Sequence, residues 1–517
     1  MSSSLIKHVV IAGGGSAGWL SAALIAAEHP AQKDGIGLKI TLIESPEVPA
    51  IGVGEGTWPS MRTTLNKIGI KESDFIRECD ASFKQGSRFN GWVDGGVRDY
   101  YFHPFSLPEG YGDADLITAW QRHNSHTAFA ELVSYQPHLC LYGKAPKQRV
   151  TPEYAGVANY GYHLDATKLG LFLRKHCIEH LGVEYVSDHI VAVNAHDNGD
   201  IASLQTKQHG AISGDLFIDC TGMQSLLLGK HFEVEFQSQK HILFNDSALA
   251  VQVPYAQEDS PIASQTSSTA QHSGWIWDIG LPTRRGIGHV YSSAHCSDEQ
   301  AEQTLRDYIA RDGGPKEIAV PRKLAFEPGY RKQFWHRNCV AIGLSAGFIE
   351  PLEASALALV ELAAALVSEQ MPVDRDTMEF AAKRFNATFT YRWERVIDFL
   401  KLHYVLTKRS DSDFWRDNCR AESIPDSLRE LLTHWRHYSP SRHDFPRIEE
   451  LFPAASYQYI LYGMGFQTES IARRADTTQR TSSYFREAAA MTSKMLAALP
   501  ENRELIQHIV QHGSHRV

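Results

Sequence analysis

The sequence lacks the patterns that mark several broad classes of protein. Its seven cysteines form no C-x-x-C pair and no zinc-ligand spacing, and its 25 histidines form no H-E-x-x-H pair. We therefore expect reduced thiols, a cytoplasmic protein and no bound metal. There is no signal-peptide pattern and no apolar run long enough to span a bilayer. Lys and Arg are scattered and the formal net charge is −9, which gives no electrostatic reason to expect binding to nucleic acid or to an anionic membrane.

The composition is that of a large globular protein. The chain has 517 residues, of which 43% are hydrophobic and 21% charged, so it can bury a large core. Strand and helix patterns alternate up to about residue 370, and helical patterns dominate after it. We predict an α/β domain over residues 1–370 with an inserted mixed sheet, and a mainly helical region over residues 371–517. Residues 182–186, 190–193 and 201–204 are predicted to form one small sheet.

A glycine-rich turn near the start of the chain is the clearest functional signal. Apolar residues 8–12 precede Gly13-Gly14-Gly15-Ser16-Ala17-Gly18, and an apolar helical pattern follows. In a dinucleotide-binding turn, the glycines allow a tight turn, close approach of the pyrophosphate and close packing of helix on strand. The N-terminus of the helix then binds the phosphates through its free amide groups. The alternative is an ordinary strand–helix turn.

An acidic residue follows this turn at the end of a second apolar segment. Lys39-Ile40-Thr41-Leu42-Ile43-Glu44 reads as a strand, and Glu44 lies 26 positions after Gly18, somewhat beyond the usual ~20. The polar insert over residues 32–37 accounts for the extra length. Glu44 is predicted to accept hydrogen bonds from a ribose diol; the alternative is a surface glutamate at a strand end.

Two later segments repeat the pattern of a buried strand followed by a turn. Asp219-Cys220-Thr221-Gly222 closes one strand, and Gly343 closes another that is followed by a predicted helix over residues 355–369. With the first turn, this order resembles FAD-dependent monooxygenases of the p-hydroxybenzoate hydroxylase fold. The resemblance implies a Rossmann-like three-layer FAD-binding domain. Since only one dinucleotide fingerprint is present, we expect FAD to be supplied reduced by a separate flavin reductase.

Four further segments resemble motifs of the tryptophan-halogenase-like family of flavin-dependent halogenases. They are Gly52-Val53-Gly54-Glu55-Gly56-Thr57, which is similar to the flavin-covering loop; Ala81-Ser82-Phe83-Lys84, which is similar to the segment with the active-site lysine; Gly274-Trp275-Ile276-Trp277-Asp278-Ile279, which is similar to W-x-W-x-I-P; and Phe348-Ile349-Glu350-Pro351-Leu352-Glu353, which is similar to the segment with the active-site glutamate. The resemblance extends from Gly13 to about Gly463. Together these motifs are specific to the family, although each alone is not.

The resemblance implies a two-component halogenase. In the family, reduced FAD, oxygen and bromide or chloride yield hypohalous acid, which then halogenates an electron-rich arene. Lys84 would act on this oxidant either as an ammonium that donates a hydrogen bond or as an amine that forms a haloamine, and the amine needs a lowered pKa, which burial can provide. Glu353 would stabilise the cationic arene and remove its proton. Without the resemblance, Lys84 reads as a solvated lysine and Glu353 as a helix-start acid.

The resemblance also assigns binding roles to other positions. Trp275 and Trp277 alternate along a strand, so both face one side, where they would keep the substrate away from the flavin; the alternative is core packing. His103 and Phe105 would line the arene pocket, which the helical C-terminal region completes. The remaining assignments are the flavin contacts Gly13, Gly15, Ser16, Ala17, Gly18, Glu44, Gly54, Thr57, Gly343 and Leu352 and the halide contacts Ser355 and Ala356.

Three departures from the family pattern concern the halide and the substrate. Glu353 is followed by Ala354-Ser355-Ala356 where tryptophan-specific members have S-T-G, and Ala356 lacks the conformational freedom of glycine; a looser loop would favour bromide. Gly280 replaces the proline of W-x-W-x-I-P. The C-terminal region has no evident tyrosine pair and glutamate for binding the amino and carboxyl groups of a free amino acid, which favours an indole-like arene.

A homodimer is compatible with the sequence. The alternatives are an FAD-dependent aromatic hydroxylase and a non-catalytic flavoprotein.

Overall fold

The structure is a computed structural model that describes residues 5–30, 37–47, 54–315, 317–447, 449–469 and 478–514. The chain forms two compact units, each assembled from three separate segments. Unit 1 comprises Met1–Asp80, Leu164–Gln239 and Glu327–Trp393, and unit 2 comprises Ala81–His163, Lys240–Phe326 and Glu394–Val517. The predicted boundary after residue 370 falls inside the last segment of unit 1; the division of the chain into domains 1–370 and 371–517 stays a prediction.

The described residues contain short and medium strands. These strands are β1 His8–Ala12, β2 Lys39–Glu44, β3 Gly54–Gly56, β4 Ser82–Lys84, β5 Gly86–Asn90, β6 Tyr100–Pro104, β7 Gly161–Asp165, β8 Glu184–Ser187, β9 Ile190–Ala195, β10 Ile201–Thr206, β11 Ala211–Ser213, β12 Leu216–Asp219, β13 Phe236–Ser238, β14 Ser247–Pro254, β15 Thr266–Ala270, β16 Trp275–Gly280, β17 Arg284–Tyr291, β18 Arg322–Ala325, β19 Gly329–Arg331, β20 Trp335–His336, β21 Cys339–Ala341 and β22 Gly347–Phe348.

The helices lie between these strands and after the last of them. They are α1 Ser16–Glu28, α2 Ser60–Lys67, α3 Glu72–Glu78, α4 Leu116–Ala119, α5 Phe129–Val133, α6 Gln136–Leu141, α7 Ala166–His180, α8 Asp298–Arg311, α9 Ser355–Glu369, α10 Arg375–Val405, α11 Asp413–Asn418, α12 Asp426–Trp435, α13 Ala454–Gly463, α14 Thr478–Ala498 and α15 Asn502–His512. Short 3-10 or π turns occur at Trp120–Asn124, Gly222–Gln224, Leu226–His231, Gly343–Ser345, Leu352–Ala354, Ala421–Ser423 and Arg442–Asp444. In the described parts of the chain, no helix combines the length and the hydropathy needed to cross a bilayer.

Unit 1 is built on a six-stranded sheet in the order β20-β21-β12-β1-β2-β8. All neighbours are parallel except β20 and β21, which run antiparallel. Residues 9–12 of β1 are fully buried and apolar, as expected for a central strand covered on both faces. The predicted small sheet is partly wrong, because β8 joins this large sheet, while β10 pairs with β9 on one side and with β11 on the other.

Unit 2 contains a seven-stranded sheet in the order β18-β14-β17-β16-β15-β5-β6. Most of its neighbours are antiparallel, but β15 and β5 run parallel. Helix α8 packs on one face through Ala301, Leu305 and Ile309, which share a core cluster with strand residues such as Val251 and Ile287. The four-residue spacing on α8 is that of an amphipathic helix covering a sheet. The chain therefore has the predicted α/β class, with parallel and antiparallel sheets.

Candidate functional site

The glycine turn closes the central strand of unit 1 at its carboxyl end. The backbone N–H of Gly13 donates to the carbonyl of Ile43 at 2.8 Å, which joins the turn to β2. Gly13 has φ +107°, and a Cβ there would lie 2.2 Å from the carbonyl oxygen of Cys220. A Cβ on Gly18 would lie 1.9 Å from the carbonyl oxygen of Gly13. Both positions therefore require glycine: Gly13 because the backbone that follows β12 packs against the turn, and Gly18 because helix α1 packs against the turn.

The outer side of the same turn is open. No described atom lies within 4 Å of an ideal Cβ on Gly15, and α1 begins at the next residue, Ser16. The first amide groups of a helix have no partner within it and attract anions. The backbone N–H groups of Ser16 and Ala17 thus lie next to the open side of Gly15, an arrangement that fits a pyrophosphate.

Glu44 ends β2 next to this turn, as predicted. A Cβ on Gly14 would lie 2.3 Å from the carboxyl carbon of Glu44, so the carboxylate packs against the turn itself. Its Oε2 is buried, and no described residue donates a hydrogen bond to it; the guanidinium of Arg174 lies 3.5 Å away. A buried acceptor without a hydrogen-bond donor is costly; the assignment of Glu44 to a ribose diol stays a prediction.

The two later turns lie at the same edge of the sheet. Asp219 is fully buried at the end of β12, and its Oδ1 accepts hydrogen bonds from the N–H and hydroxyl of Thr221 at 3.0 and 2.6 Å. Gly343 follows β21 with φ +78°, and a Cβ there would lie 2.7 Å from the Cβ of Ala17. Gly343 therefore packs against the first turn of α1; its assignment as a flavin contact stays a prediction.

The predicted flavin-covering loop is only partly described. Gly52 and Val53 lie outside the described residues, whereas Gly54 belongs to β3 and Thr57 is buried. Between them, burial raises the pKa of Glu55 to about 7. The assignment of Gly54 and Thr57 as flavin contacts stays a prediction.

Glu353 lies in a tight turn immediately before α9, and its backbone is strained. Leu352 is fully buried, whereas Glu353 and Ala354 both adopt left-handed conformations, with φ of 65° and 55°. Such conformations cost non-glycine residues about 1–2 kcal/mol each. The indole N–H of Trp58 donates to the carbonyl of Glu353 at 2.8 Å and helps to hold this turn. Strained residues concentrate at functional sites.

The predicted halide contacts form the first turn of α9. Ser355 is buried and Ala356 is exposed, and both have helical positions that need no positive φ. The glycine-like conformation that the sequence pattern suggested at Ala356 is instead found at Glu353 and Ala354. Ala354 is the N-cap residue, and its methyl group cannot accept a hydrogen bond. The N–H groups of this turn are therefore not capped by their own N-cap side chain.

Lys84 is buried on β4 of unit 2, with 1% of its surface exposed. The antiparallel pairing with β7 places Lys84 opposite Gly161, and its Nζ lies 5.4 Å from the ring centroid of Phe105. Backbone hydrogen bonds of Gln85 help to fix both Lys84 and Phe105. The N–H of Gln85 donates to the carbonyl of Ser264 at 2.6 Å, and its carbonyl accepts from the N–H of Phe105 at 3.1 Å. The solvated-lysine alternative is wrong, since the side chain is enclosed.

A buried histidine next to Lys84 was not predicted. His163 is fully buried on β7, and its Nε2 lies 2.8 Å from the hydroxyl of Thr266. Burial, together with the nearby charge of Lys84, holds the pKa of His163 well below its usual value. Nothing in the surrounding sequence, Gly161-Tyr162-His163-Leu164, distinguishes this residue from a core histidine.

The two tryptophans face one side of β16, as predicted. Their ring centroids are 6.4 Å apart at an angle of 62°, and both rings are buried. Trp277 on β16 pairs with Gly288 on β17, and a Cβ on Gly288 would lie 2.1 Å from the indole of Trp277. The strand ends at Gly280, whose carbonyl accepts a hydrogen bond from the hydroxyl of Ser82 at 2.5 Å. This bond ties the tryptophan strand to the strand of Lys84.

His103 and Phe105 continue from the same sheet. His103 is buried on β6, and its ring centroid lies 5.6 Å from Phe399, 6.5 Å from Phe452 and 6.3 Å from Tyr459. These aromatic rings form an apolar surrounding, and Phe105 is only partly buried. The pair could contact an arene, but their role in substrate binding stays a prediction.

Comparisons with known proteins agree with this arrangement. The family model described as tryptophan halogenase matches residues 8–480. The chain is 33% identical to a 7-chloro-L-tryptophan 6-halogenase of Kutzneria sp. (strain 744), covering 91% of this chain and 93% of the relative. It is also 33% identical to a tryptophan 6-halogenase of Streptomyces toxytricini, covering 88% and 89%.

Solved structures give the same result. A tryptophan halogenase from Shewanella frigidimarina NCIMB 400 superposes with a TM-score of 0.95 and 50% identity, covering 99% of both chains. A flavin-dependent halogenase from Brevundimonas sp. BAL3 superposes with a TM-score of 0.84 and 32% identity, covering 97% of this chain and 99% of that one. The chain therefore belongs to the tryptophan halogenase family of flavin-dependent enzymes.

Proposed function

We propose that this chain is a two-component halogenase that uses reduced FAD, oxygen and bromide or chloride to halogenate an electron-rich, indole-like arene. The observation that carries the proposal is the burial of Lys84, with 1% of its surface exposed, in a protein of this family. Lysine is almost never fully buried without a partner or a chemical role. A simple hydroxylase of the same fold needs no such lysine.

The groove at the carboxyl edge of the parallel sheet is suited to FAD. Gly15 allows close approach of the pyrophosphate, whereas Gly13 and Gly18 allow the tight packing of the turn. Glu44 offers the ribose a buried oxygen that accepts no hydrogen bond from a described residue, and Gly343 abuts the first turn of α1. When bound and reduced, FAD supplies with oxygen and halide the hypohalous acid that the reaction consumes. We assign the reduction of FAD to a separate flavin reductase, since the sequence has one dinucleotide fingerprint.

Lys84 and Glu353 carry the chemistry of halogen transfer in this proposal. The net reaction replaces one ring hydrogen by halogen and releases water: ArH + HOX gives ArX + H₂O. Lys84 orients the oxidised halogen, either by a hydrogen bond from its ammonium or as a haloamine. Glu353 stabilises the cationic ring and takes up its proton, and the bond from Trp58 to the carbonyl of Glu353 helps to fix the turn that carries this carboxylate.

Other groups bind the halide, bind the arene or keep the arene away from the flavin. The N–H groups of Ser355 and Ala356 at the start of α9 attract the halide through the positive end of the helix dipole. Phe105 and His103 bind the arene, and the 5.4 Å between Nζ of Lys84 and the Phe105 ring places an aromatic surface beside the reacting group. Trp275 and Trp277 form a buried pair that keeps the arene away from the flavin.

Mass spectrometry tests the proposal. The enzyme is incubated with a flavin reductase, NADH, FAD, oxygen and bromide, together with a panel of indoles, phenols and free tryptophan. We expect a bromine isotope doublet on an indole-like product that disappears when bromide is omitted. A product that gains oxygen without halogen indicates the hydroxylase instead. The absence of any modified arene, with flavin bound, indicates a non-catalytic flavoprotein.

A further inference from the structure

Helix α15 donates a side-chain hydrogen bond to the strand that carries Lys84. Asn502 is the first residue of this helix and is fully buried. Its Nδ2 donates to the carbonyl of Phe83 at 3.3 Å, although the two residues lie 419 positions apart in the chain. Phe83 directly precedes Lys84 on β4. The same Nδ2 lies 3.3 and 3.5 Å from the carbonyl oxygens of Ile262 and Ala263. One side chain therefore joins α15, β4 and the segment that leads into β15.

The amide of Asn502 acts as a donor at this site. Three carbonyl oxygens surround Nδ2, whereas Oδ1 is buried and no described residue donates a hydrogen bond to it. Exchanging the two amide atoms would place an oxygen against three carbonyl oxygens, which is unfavourable. A buried acceptor without a donor is costly. The fold bears this cost at a position where the N–H groups of the same amide satisfy carbonyls on two separate segments.

The bond to Phe83 lies on the outer edge of β4. This strand is at the edge of its sheet and pairs with β7, so backbone groups on its other edge need partners outside the sheet. Two such groups flank Lys84. The carbonyl of Phe83 accepts from Asn502, and the N–H of Gln85 donates to the carbonyl of Ser264 at 2.6 Å. The backbone of Lys84 is therefore held by one bond on each side.

The start of α15 is itself fixed by three loops of unit 2. The backbone N–H of Asn502 donates to the carbonyl of Gly143 at 2.8 Å. The guanidinium of the next residue, Arg503, donates to the carbonyl of Pro282 at 3.0 Å and to the carbonyl of Ser260. Because these bonds reach loops other than β4, the amide of Asn502 extends from a support that is anchored independently of the strand it holds.

We propose that Asn502 is a positioning residue for Lys84: from its anchored place on α15 it holds the carbonyl of Phe83, and thereby fixes the backbone from which the Lys84 side chain extends for halogen transfer. This inference rests on the proposed function of Lys84. The side chain of Lys84 is enclosed, so in a close-packed interior it has little room to compensate for a shift of its backbone. A misplacement of about 1 Å at a reacting group can reduce the rate about 100-fold.

Steady-state kinetics of two variants test this role, with kcat expressed per folded enzyme. Asn502→Ala removes the donor, and we expect kcat for halogenation to fall roughly 5- to 50-fold with little change in the KM of the arene. Asn502→Leu keeps the branched shape of the side chain without a donor, so the loss of kcat should be of similar size. A near-wild-type kcat in either variant, or a change confined to the KM of the arene, would overturn the proposal.

The matched control is another buried asparagine of unit 2. Asn418 is also buried, but its Nδ2 donates to the carbonyl of Phe414 at 2.9 Å and its Oδ1 accepts from Nζ of Lys401 at 2.8 Å. Asn418→Ala should reduce stability while leaving kcat per folded enzyme within about twofold of wild type, because this amide does not bond to β4. A loss of kcat equal to that in Asn502→Ala would show that any buried asparagine has the same effect, and would overturn the inference.

Amide hydrogen exchange separates this inference from the proposed function, because it needs no substrate. Without the donor of Asn502, β4 should open more often, so the N–H of Gln85 should exchange about 10-fold faster in Asn502→Leu than in wild type. Asn418→Ala should leave this rate unchanged. Equal rates in Asn502→Leu and wild type overturn the inference even if the enzyme halogenates. If wild type yields no haloarene, the proposed function fails, while the exchange rate still tests whether Asn502 holds the strand.

Discussion

Gly288→Ala is predicted to displace the indole of Trp277. The two residues face each other across β16 and β17, and the new Cβ would lie 2.1 Å from Cη2 and Cζ2 of the ring and 2.7 Å from the carbonyl oxygen of Leu249. Contacts below 3.0 Å force a shift. Overpacking of this kind in a buried site costs roughly 1–3 kcal/mol, so we expect a fall of that size in the free energy of unfolding.

A double-mutant cycle assigns this cost to the ring. Phenylalanine lacks the outer ring atoms, so in a Trp277→Phe background Gly288→Ala should lose roughly 1 kcal/mol less stability. A smaller cost remains because the Leu249 carbonyl is still close. Urea unfolding of the four proteins measures the difference.

The control is Gly170→Ala, because a Cβ there has no described neighbour within 4 Å. Alanine at this position of helix α7 should raise the free energy of unfolding by roughly 0.5–1 kcal/mol.

The functional readout is the fate of oxygen. If Trp277 keeps the arene from the flavin, Gly288→Ala should raise the ratio of oxygenated to halogenated product. Equal destabilisation in both backgrounds would refute the reasoning about the clash. An unchanged product ratio, in an enzyme whose indole has shifted, would refute the barrier role of Trp277.

Three further predictions concern unit 1. Burial raises the pKa of Glu361 to about 8, so the folded protein keeps a proton there that the unfolded chain loses near pH 4.5. Wild type should therefore lose stability relative to Glu361→Gln as the pH rises from about 4.5 to about 8. Parallel curves of stability against pH for the two proteins over that range would contradict this prediction. Glu44→Ala should weaken FAD binding roughly 10-fold, as measured by flavin fluorescence, because the ribose loses a charged acceptor; unchanged affinity would remove Glu44 from the site. Ala354→Gly should raise the free energy of unfolding by roughly 0.5–1 kcal/mol, since glycine relieves the left-handed strain; a loss in urea unfolding would show that the strain is absent.

Local patterns predicted much of unit 1 from the sequence. The glycine turn, the strand that ends in Glu44 and helix α9 over Ser355–Glu369 all lie where the pattern placed them. Each of these signals is contained within a short segment: glycine spacing, an apolar run and a helical period. The strand over residues 184–187 was assigned to the wrong sheet. An exposed strand with alternating residues has the same sequence pattern at the edge of a parallel sheet as in a small antiparallel sheet.

The remaining features depend on contacts between distant segments. The left-handed backbone of Glu353 and Ala354 has no local signal, because neither residue is glycine or asparagine. The pairing of the Lys84 strand with the His163 strand is set by the register of β4 and β7, whose paired residues are about 80 positions apart in the chain. The division into two units of three segments each is likewise a property of the folded chain.

The central claim is that the buried side chain of Lys84 directs halogen to the arene. Its direct test is the yield of haloarene per reduced flavin consumed in Lys84→Met, with Lys401→Met as the control. Lys401 is also buried in unit 2, where its Nζ contacts the carbonyl of Ile242 and the side chain of Asn418 at 3.0 and 2.8 Å. We predict that Lys84→Met binds and oxidises flavin but forms almost no haloarene, while Lys401→Met retains its yield. A near-wild-type yield in Lys84→Met would contradict the account.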